Sequence, residues 1–310
     1  MLRAVGDPAL RFAEDGLRVL RAARFVATLE VTLDPQTASA IAPSLGSYRK
    51  VSAERVRDEW LKATKAKQPS RAFEIMKDHG LLAITAPELL ESVGCEQNRY
   101  HAYDVWGHAM RCLDNCPKHA VLRIAGLLHD VGKPRTRAFS DKTEDVHILR
   151  AMNRVGAEMT GPLLERLRFS NDERARIVAL VRHHLICYDG TWRRRRGATL
   201  GCAESRQELL DELYALSEAD VQAKGKDASA DLQHLRRTQS SRSQGDRPRR
   251  RLQRQRSGPR RQSADPRTGA SNRVPILAAC CAHYWKKSWK SRASIAVKRC
   301  SPGARQLLES

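Results

Sequence analysis

The sequence predicts an all-α protein whose last quarter is a poorly ordered basic tail. Apolar residues recur at helical spacing, for example at Val121, Ala125 and Leu128, which indicates helices with one buried face. Asp-Pro pairs, which favour the first turn of a helix, precede two of the predicted helices. No stretch alternates between apolar and polar residues for long enough to make a convincing strand.

The predicted helices of the N-terminal part share an acidic or hydroxyl residue at the start, as helix capping favours. The first segment begins at Asp7-Pro8, and within it a helix from Glu14 has acidic residues in its first turn. The others begin at Asp34-Pro35, at Ser52 and near residue 71, with an end at His79-Gly80 and a short helix around Pro87.

The positive charge of the chain is unevenly distributed. The net charge is +21 over 310 residues. Residues 231–310 contain 20 Lys and Arg against 4 Asp and Glu, a net charge of +16, whereas residues 1–230 contain 36 against 31, a net charge of +5. The simplest interpretation of the tail is a disordered basic segment that binds RNA phosphates.

Composition also predicts the compartment. No run approaches the roughly 20 apolar residues of a membrane helix. The N-terminus has no apolar segment typical of a secretory signal, and the eight cysteines lack regular pairing. We therefore expect a cytoplasmic protein without a membrane partner.

The stretch from Leu127 to Pro134 contains the strongest chemical signal. His129 falls four residues after Ala125, so it lies with the apolar face of a helix, and Asp130 follows it. Imidazole and carboxylate groups both offer lone pairs to a divalent metal. Taken alone, the pair is equally consistent with an ordinary polar helix C-terminus.

Several ordered motifs carry a family resemblance across residues 7–225. They are Asp7-Pro8 with Arg11-Phe12, Glu14-Asp15, Arg18, Arg21-Ala22 and Arg24-Phe25, then Val51-Ser52 with Glu54-Arg55-Val56, then Gly80-Leu81-Leu82 and Pro87-Glu88-Leu89. Together they resemble the neck of the class II CCA-adding enzymes (tRNA nucleotidyltransferases) and the bacterial poly(A) polymerases. The segments Glu96–His108 and Leu127–Pro134 are similar to the HD domain that many bacterial members carry.

The resemblance divides the chain and assigns neck residues. It implies a nucleotide- and RNA-binding neck at residues 1–65, a helical connection at 66–98, an HD domain at 99–225 and a basic, poorly ordered tail at 226–310. It implies that Asp15 and Arg18 bind the base edge of CTP or ATP, and that Arg21 and Arg24 bind RNA near the tRNA 3′ end. Asp15 and Arg18 could equally form an intrahelical pair, and the arginines a solvated face.

The resemblance also implies what the polypeptide does not do. In the family, a catalytic head with a Gly-Ser motif and paired aspartates for two magnesium ions would precede residue 7. Without those carboxylates, phosphoryl transfer loses its main stabilisation. We therefore expect a fragment that neither binds the magnesium of the head nor adds nucleotides to RNA.

In the HD part, the resemblance implies a divalent ion of the Mg, Mn or Ni class. Its ligands would be His108, His129, Asp130, His183, His184 and Asp220, with His129 and Asp130 as the catalytic residues. One family element is missing: a Phe-x-x-His-Glu segment has no counterpart before Val155, and Met152 and its neighbours stand there instead. His147 is nearby but out of register, so a second metal site would be weakened.

A more specific hypothesis is that the tail is translated in a reading frame shifted from the ancestral one. Plausible codons for residues 252–257, read one base later, can spell a segment similar to the Gly-x-Asp-Leu motif of the family tail. Codons for residues 279–290 can likewise spell an amphipathic helix, and those for residues 202–207 a family-like segment. If this holds, the charge of the tail says nothing about partners, and resequencing of the gene tests it.

Three functions remain open on these grounds. The first is a fragment of a tRNA nucleotidyltransferase with its neck and HD domain. The second is a stand-alone HD phosphohydrolase or phosphodiesterase, and the third is a non-enzymatic basic RNA-binding protein. Asp15 and Arg18 favour the first, whereas the HD ligands favour either of the first two. The metal, the HD substrate, the choice between CCA, A and poly(A) addition, and the oligomeric state stay open.

Overall fold

A computed structural model describes residues 1–98, 100–140, 145–148, 151–185, 203–225, 227 and 229–245. All of them lie in one compact unit, Met1–Arg249. The N-terminal helices are α1 Pro8–Glu14, α2 Leu17–Thr28, α3 Pro35–Ser39, α4 Leu45–Tyr48, α5 Ala53–Ala63, α6 Ser70–Asp78, α7 Leu81–Thr85 and α8 Pro87–Leu90. The later elements are α9 Val105–Asn115, α10 Ala120–Leu128, α11 Lys133–Thr136, β1 Arg137–Ser140, β2 Asp145–Ile148, α12 Met152–Arg166, α13 Asn171–His183, α14 Ala203–Ala223 and α15 Ser229–Gly245.

The all-α prediction is confirmed, with one small exception. Strands β1 and β2 form a two-stranded antiparallel hairpin in which Arg137 pairs with Ile148 and Ser140 with Asp145. Each strand has four residues, which is too short for alternation in the sequence to reveal it.

The first helical segment is broken where the sequence predicted a helix starting at Glu14. Glu14 instead ends α1, Asp15 is extended, and α2 begins at Leu17. The prediction of that start was wrong because Gly16 packs against the backbone of Ser47 and Tyr48, where a Cβ atom would overlap it. Asp15 Oδ1 accepts a hydrogen bond from the Leu17 N–H at 3.0 Å and so caps the start of α2.

In the N-terminal part of the chain, α2 packs against α5 and α6. Leu20, Trp60 and Phe73 lie at the centre of this packing and are fully buried, and the Trp60 and Phe73 rings meet edge to face at 5.1 Å. Ser52 caps α5 through the Arg55 N–H, as the sequence predicted.

The second part of the fold is built from α9, α10, α12, α13 and α14. Helix α9 packs on α10 and α14, and α13 packs on α10 and α12. The capping box predicted at Ser170 is present, with reciprocal hydrogen bonds between Ser170 and Glu173 at the start of α13.

Helical structure continues past residue 226, where the sequence predicted the tail to begin. Helix α15 packs on α14, Leu235 is buried, and Arg236 pairs with Glu218 at 2.7 Å. Residues 246–310, which contain most of the predicted tail, lie outside the described residues.

Candidate metal centre

Four buried side chains from three helical regions meet at one point. Asp104 caps α9 through the Gly107 N–H at 2.8 Å, which places His108 on the first turns of that helix. His129 and Asp130 follow the end of α10, and Asp220 lies near the end of α14. All four are at most 7% exposed.

The ligand atoms of this cluster are close enough to share one ion. His108 Nε2 lies 2.9 Å from Asp220 Oδ1 and 3.4 Å from Asp130 Oδ2. His129 Nε2 lies 3.1 Å from Asp130 Oδ2 and 3.3 Å from His108 Nε2. Ligand atoms of His108, His129 and Asp220 all fall within 4.8 Å of one another.

Backbone carbonyls orient two of the imidazoles. His129 Nδ1 lies 2.8 Å from the Gly126 carbonyl, and His184 Nδ1 lies 2.7 Å from the Val181 carbonyl. Donation from Nδ1 to a backbone carbonyl leaves Nε2 as the atom that can contact an ion, the arrangement usual in metal-ligating histidines. Within the described part of the chain, the buried Nε2 of His184 has no hydrogen-bond partner. The residues present therefore fit a divalent ion.

The electrostatics also suit a cation. Burial would raise the pKa of Asp130, but the charges of His129 and Lys133 hold it well below its usual range, and contacts with His108 and His129 lower the pKa of Asp220 in the same way. Burial alone would lower the pKa of His129, yet these carboxylates outweigh it and raise that pKa to about 10. Two ionised carboxylates in an apolar environment are stabilised by nearby positive charge, which a divalent ion would supply.

The cluster forms one wall of a cavity of about 210 Å³. Asp130, His184 and Asp220 line it together with Gln97, Asn98, His101, Lys133, Met152, Leu185 and Lys224. Lys133 Nζ lies 2.5 Å from Asp130 Oδ2 and donates to Gln97 Oε1 at 2.6 Å. Burial and the charge of Lys133 lower the pKa of His101 to about 3, so this imidazole is neutral.

Lys133, His101 and Gln97 are among the cavity residues to which the sequence assigned no role. Lys133 follows Asp130 by three residues and begins α11, a spacing that could have suggested the contact. His101 and Gln97 lie before α9, in the segment Glu96–His108, but their spacing does not indicate that they reach the cavity. His183, predicted as a ligand, is half-buried and is not among the described residues that line it.

The predicted nucleotide-binding residues of the neck are paired with other side chains. Asp15 Oδ2 accepts from Arg55 Nη2 at 2.9 Å, and Arg18 pairs with Glu14. The Arg18 N–H donates to the Asp15 carbonyl at 3.0 Å, a turn-type bond between residues three apart at the start of α2. The structure therefore brings Asp15 and Arg18 together but gives each a different ionic partner.

The two predicted RNA-binding arginines differ in their surroundings. Arg24 pairs with the buried Glu59 at 2.5 Å, and its side chain is 15% exposed. Arg21 is exposed, with its guanidinium 5.8 Å from the Phe25 ring centre, and among the described residues it has no carboxylate partner.

Two family models match the chain. A family model described as a probable RNA- and SrmB-binding site of polymerase A matches residues 30–92, and the HD domain model matches residues 99–223. In the described part of the chain, no helix combines the length and apolarity needed to span a membrane.

Three relatives illustrate the similarity. The chain is 36% identical to the A-adding tRNA nucleotidyltransferase of Deinococcus radiodurans, over 75% of its own length and 54% of that protein. It is 31% identical to the CC-adding tRNA nucleotidyltransferase of Thermus thermophilus, over 67% and 49%. It is 35% identical to the multifunctional CCA protein of Dechloromonas aromatica, over 59% and 44%. The chain spans about half the length of the relatives it matches.

Proposed function

The chain belongs to the tRNA nucleotidyltransferase family, and we propose that it combines an RNA-binding neck with a divalent-metal phosphohydrolase centre that acts in tRNA 3′-end processing. The proposed division is a neck at residues 1–65, a connection at 66–98 and the HD domain at 99–225. The proposed partners are the tRNA 3′ end and, through Asp15 and Arg18, CTP or ATP in the cytoplasm.

One observation carries the hydrolytic part of the proposal. His108, His129, Asp130 and Asp220 come from helices up to 112 residues apart in the sequence and meet in a buried cluster that opens into a cavity. A buried cluster of this composition costs free energy unless a ligand repays its desolvation. Binding of a divalent ion would offset this cost, and the bound ion would then act on a substrate in the cavity.

The residues of the cavity suit an anionic phosphoester. A divalent ion held by His108, His129, Asp130 and Asp220 would supply Lewis acidity toward the phosphoryl group and a more acidic water. Lys133 places a positive charge beside Asp130, which favours a phosphate in the cavity. His129 and Asp130 are adjacent in the sequence, with His129 Nε2 3.1 Å from Asp130 Oδ2, and are the proposed catalytic pair.

The test is hydrolysis of bis-p-nitrophenyl phosphate by the full chain with added Mn²⁺. We expect activity that EDTA abolishes, and a decrease of about 100-fold or more in His129→Ala, because loss of one ligand weakens ion binding and misplaces the ion. His119→Ala, which removes an exposed histidine, is the matched control and should keep the wild-type rate. An unchanged rate in a folded His129→Ala variant would place the chemistry elsewhere.

The RNA-binding part of the proposal is supported by Arg21. Its exposed guanidinium is free of carboxylate partners in the described part of the chain, whereas Arg18 and Arg24 are paired with Glu14 and Glu59. A guanidinium in this setting is available to a phosphate.

Arg21→Ala should therefore weaken binding of tRNA lacking CCA and reduce the slope of log K against log salt concentration by about 0.9 if one duplex phosphate contact is lost. Filter binding over a series of KCl concentrations measures this. Arg174→Ala, on α13, is the control and should leave the slope unchanged. A slope for Arg21→Ala equal to that of wild type would exclude Arg21 from the interface.

A further inference from the structure

One carboxylate oxygen of Asp130 lies near His184, a histidine outside the four-residue cluster. Oδ2 of Asp130 points to His108 and His129, whereas Oδ1 lies 3.8 Å from Nε2 of His184. His184 is 1% exposed, and its Nδ1 is held by a carbonyl. His184 lines the cavity together with Asp130, and its Nε2 has no hydrogen-bond partner among the residues that the structure describes. The carboxylate oxygen of Asp130 and the imidazole nitrogen of His184 are both donor types that bind divalent ions.

Met152, the first residue of α12, lines the same cavity as Asp130 and His184. Its position is fixed from two sides. On one side, the backbone of α12 packs so closely on Gly132 that a Cβ atom there would overlap the Met152 carbonyl and lie 2.5 Å from the Gly156 nitrogen. On the other side, Asn153 Nδ2 donates to the Arg182 carbonyl at 2.8 Å, at the end of the helix that precedes His184.

We infer that the centre binds one divalent ion, and that Asp130 and His184 form an incomplete second site in which Met152 occupies the position of the third ligand. This inference rests on the proposed metal function of the cluster. A thioether is a poor ligand for Mg²⁺ or Mn²⁺, which select oxygen and imidazole donors. Two protein ligands without a third do not hold such an ion against water.

Lys133 and His101 also line the cavity but do not complete this site. Lys133 Nζ lies 2.5 Å from Asp130 Oδ2, so the carboxylate already has one positive neighbour outside the cluster, and a second dication needs a further ligand to offset that repulsion. The His101 ring lies against His108 at 5.1 Å, and its Nδ1 contacts Asn98 Oδ1 at 2.9 Å. The imidazole of His101 thus belongs to the His108 side of the cavity, whereas the His184 ring lies 5.3 Å from His129.

The experiment is to count Mn²⁺ ions bound per chain, by the electron paramagnetic resonance signal of free Mn²⁺ during titration and by calorimetry. We expect one ion in wild type. Met152→His adds an imidazole to the cavity wall that Asp130 and His184 share and should raise the number to two. Met152→Leu, which has similar volume and no ligand atom, should stay at one, and Met152→His with His184→Ala should return to one.

The number of bound Mn²⁺ ions distinguishes failure of this inference from failure of the proposed metal function. Two ions in wild type would overturn this inference while leaving the metal function intact. One ion in a Met152→His variant with native circular dichroism would show that residue 152 does not face a second site, and would also overturn it. Absence of bound Mn²⁺ in folded wild type would overturn the proposed metal function and this inference with it.

Discussion

Asp114 shows how one half-buried carboxyl group connects the HD domain to the helices that precede it. It lies on α9, and its two oxygens accept hydrogen bonds from the N–H and hydroxyl of Ser70 at 3.0 and 2.6 Å. Ser70 begins α6, so Asp114 caps that helix from a distance of 44 residues in the sequence. Burial raises the pKa of Asp114 in spite of these hydrogen bonds.

A raised pKa in the folded state means that the native protein holds the Asp114 proton more tightly than the unfolded chain does. Its stabilising contribution is therefore complete below the unfolded pKa and is lost as the pH rises through the folded pKa. Asp114→Asn resembles the protonated form, so at pH 7 it should be as stable as wild type or more stable, within about 1 kcal/mol. That difference should shrink as the pH falls toward about 4.

Urea unfolding between pH 4 and pH 7 measures this effect. Asp114→Ala is the matched control, because it also removes the acceptor and should therefore be about 1 kcal/mol less stable than Asp114→Asn at every pH. If the Asn and Ala variants lose equal stability at pH 7, burial of the Asp114 charge does not oppose folding.

At the scale of elements, helix starts are the part of the fold that the sequence predicts best. The caps at Asp34, Ser52 and Ser170 all form, because each side chain bonds to a backbone N–H within three residues. The break at Gly16 could not be predicted, since it depends on Ser47 and Tyr48, which reach it only in the folded chain. The β1–β2 hairpin likewise depends on pairing rather than on a local pattern.

The same distinction holds for the candidate site. The order of His108, His129, Asp130 and Asp220 along the chain predicted a cluster, and these four side chains do meet. Which residue of the His183-His184 pair faces the cavity depends on the phase of α13 at its last turn, and periodicity does not define a helix end to one residue. The contact of Lys133 with Gln97 spans 36 residues and has no signal in local sequence.

At the scale of the whole molecule, a buried arginine joins the neck to the HD domain. Arg123 lies on α10 and is 2% exposed. Its Nε donates to the Cys116 carbonyl at 3.1 Å, and its Nη1 to the carbonyls of Thr64 and Ala66 at 2.5 Å. These carbonyls follow the ends of α9 and α5, where helix dipoles place partial negative charge. Burial lowers the pKa of Arg123, but carbonyl oxygens around it stabilise the charge.

Arg123→Met keeps the apolar stem of the side chain and removes every donor, so three carbonyls that stabilise the junction lose their partner. Hydrogen bonds from a charged donor contribute about 1.5–3 kcal/mol each, and leaving buried acceptors unpaired adds a penalty. Allowing for relaxation, the variant should lose about 3 kcal/mol of unfolding free energy. Because the lost contacts join α5 to α10, the neck and the HD domain should then unfold less cooperatively, with a broader urea transition.

Arg236→Met is the control for this prediction, because the Arg236 side chain is 68% exposed and its ion pair with Glu218 lies at the surface. A surface pair of this kind contributes about 0–1 kcal/mol, so the control should unfold close to wild type. Urea unfolding followed by far-ultraviolet circular dichroism compares the two variants. If Arg123→Met loses no more stability than Arg236→Met, the junction is held by apolar packing of α6 on α9, and its buried charge contributes nothing to the connection.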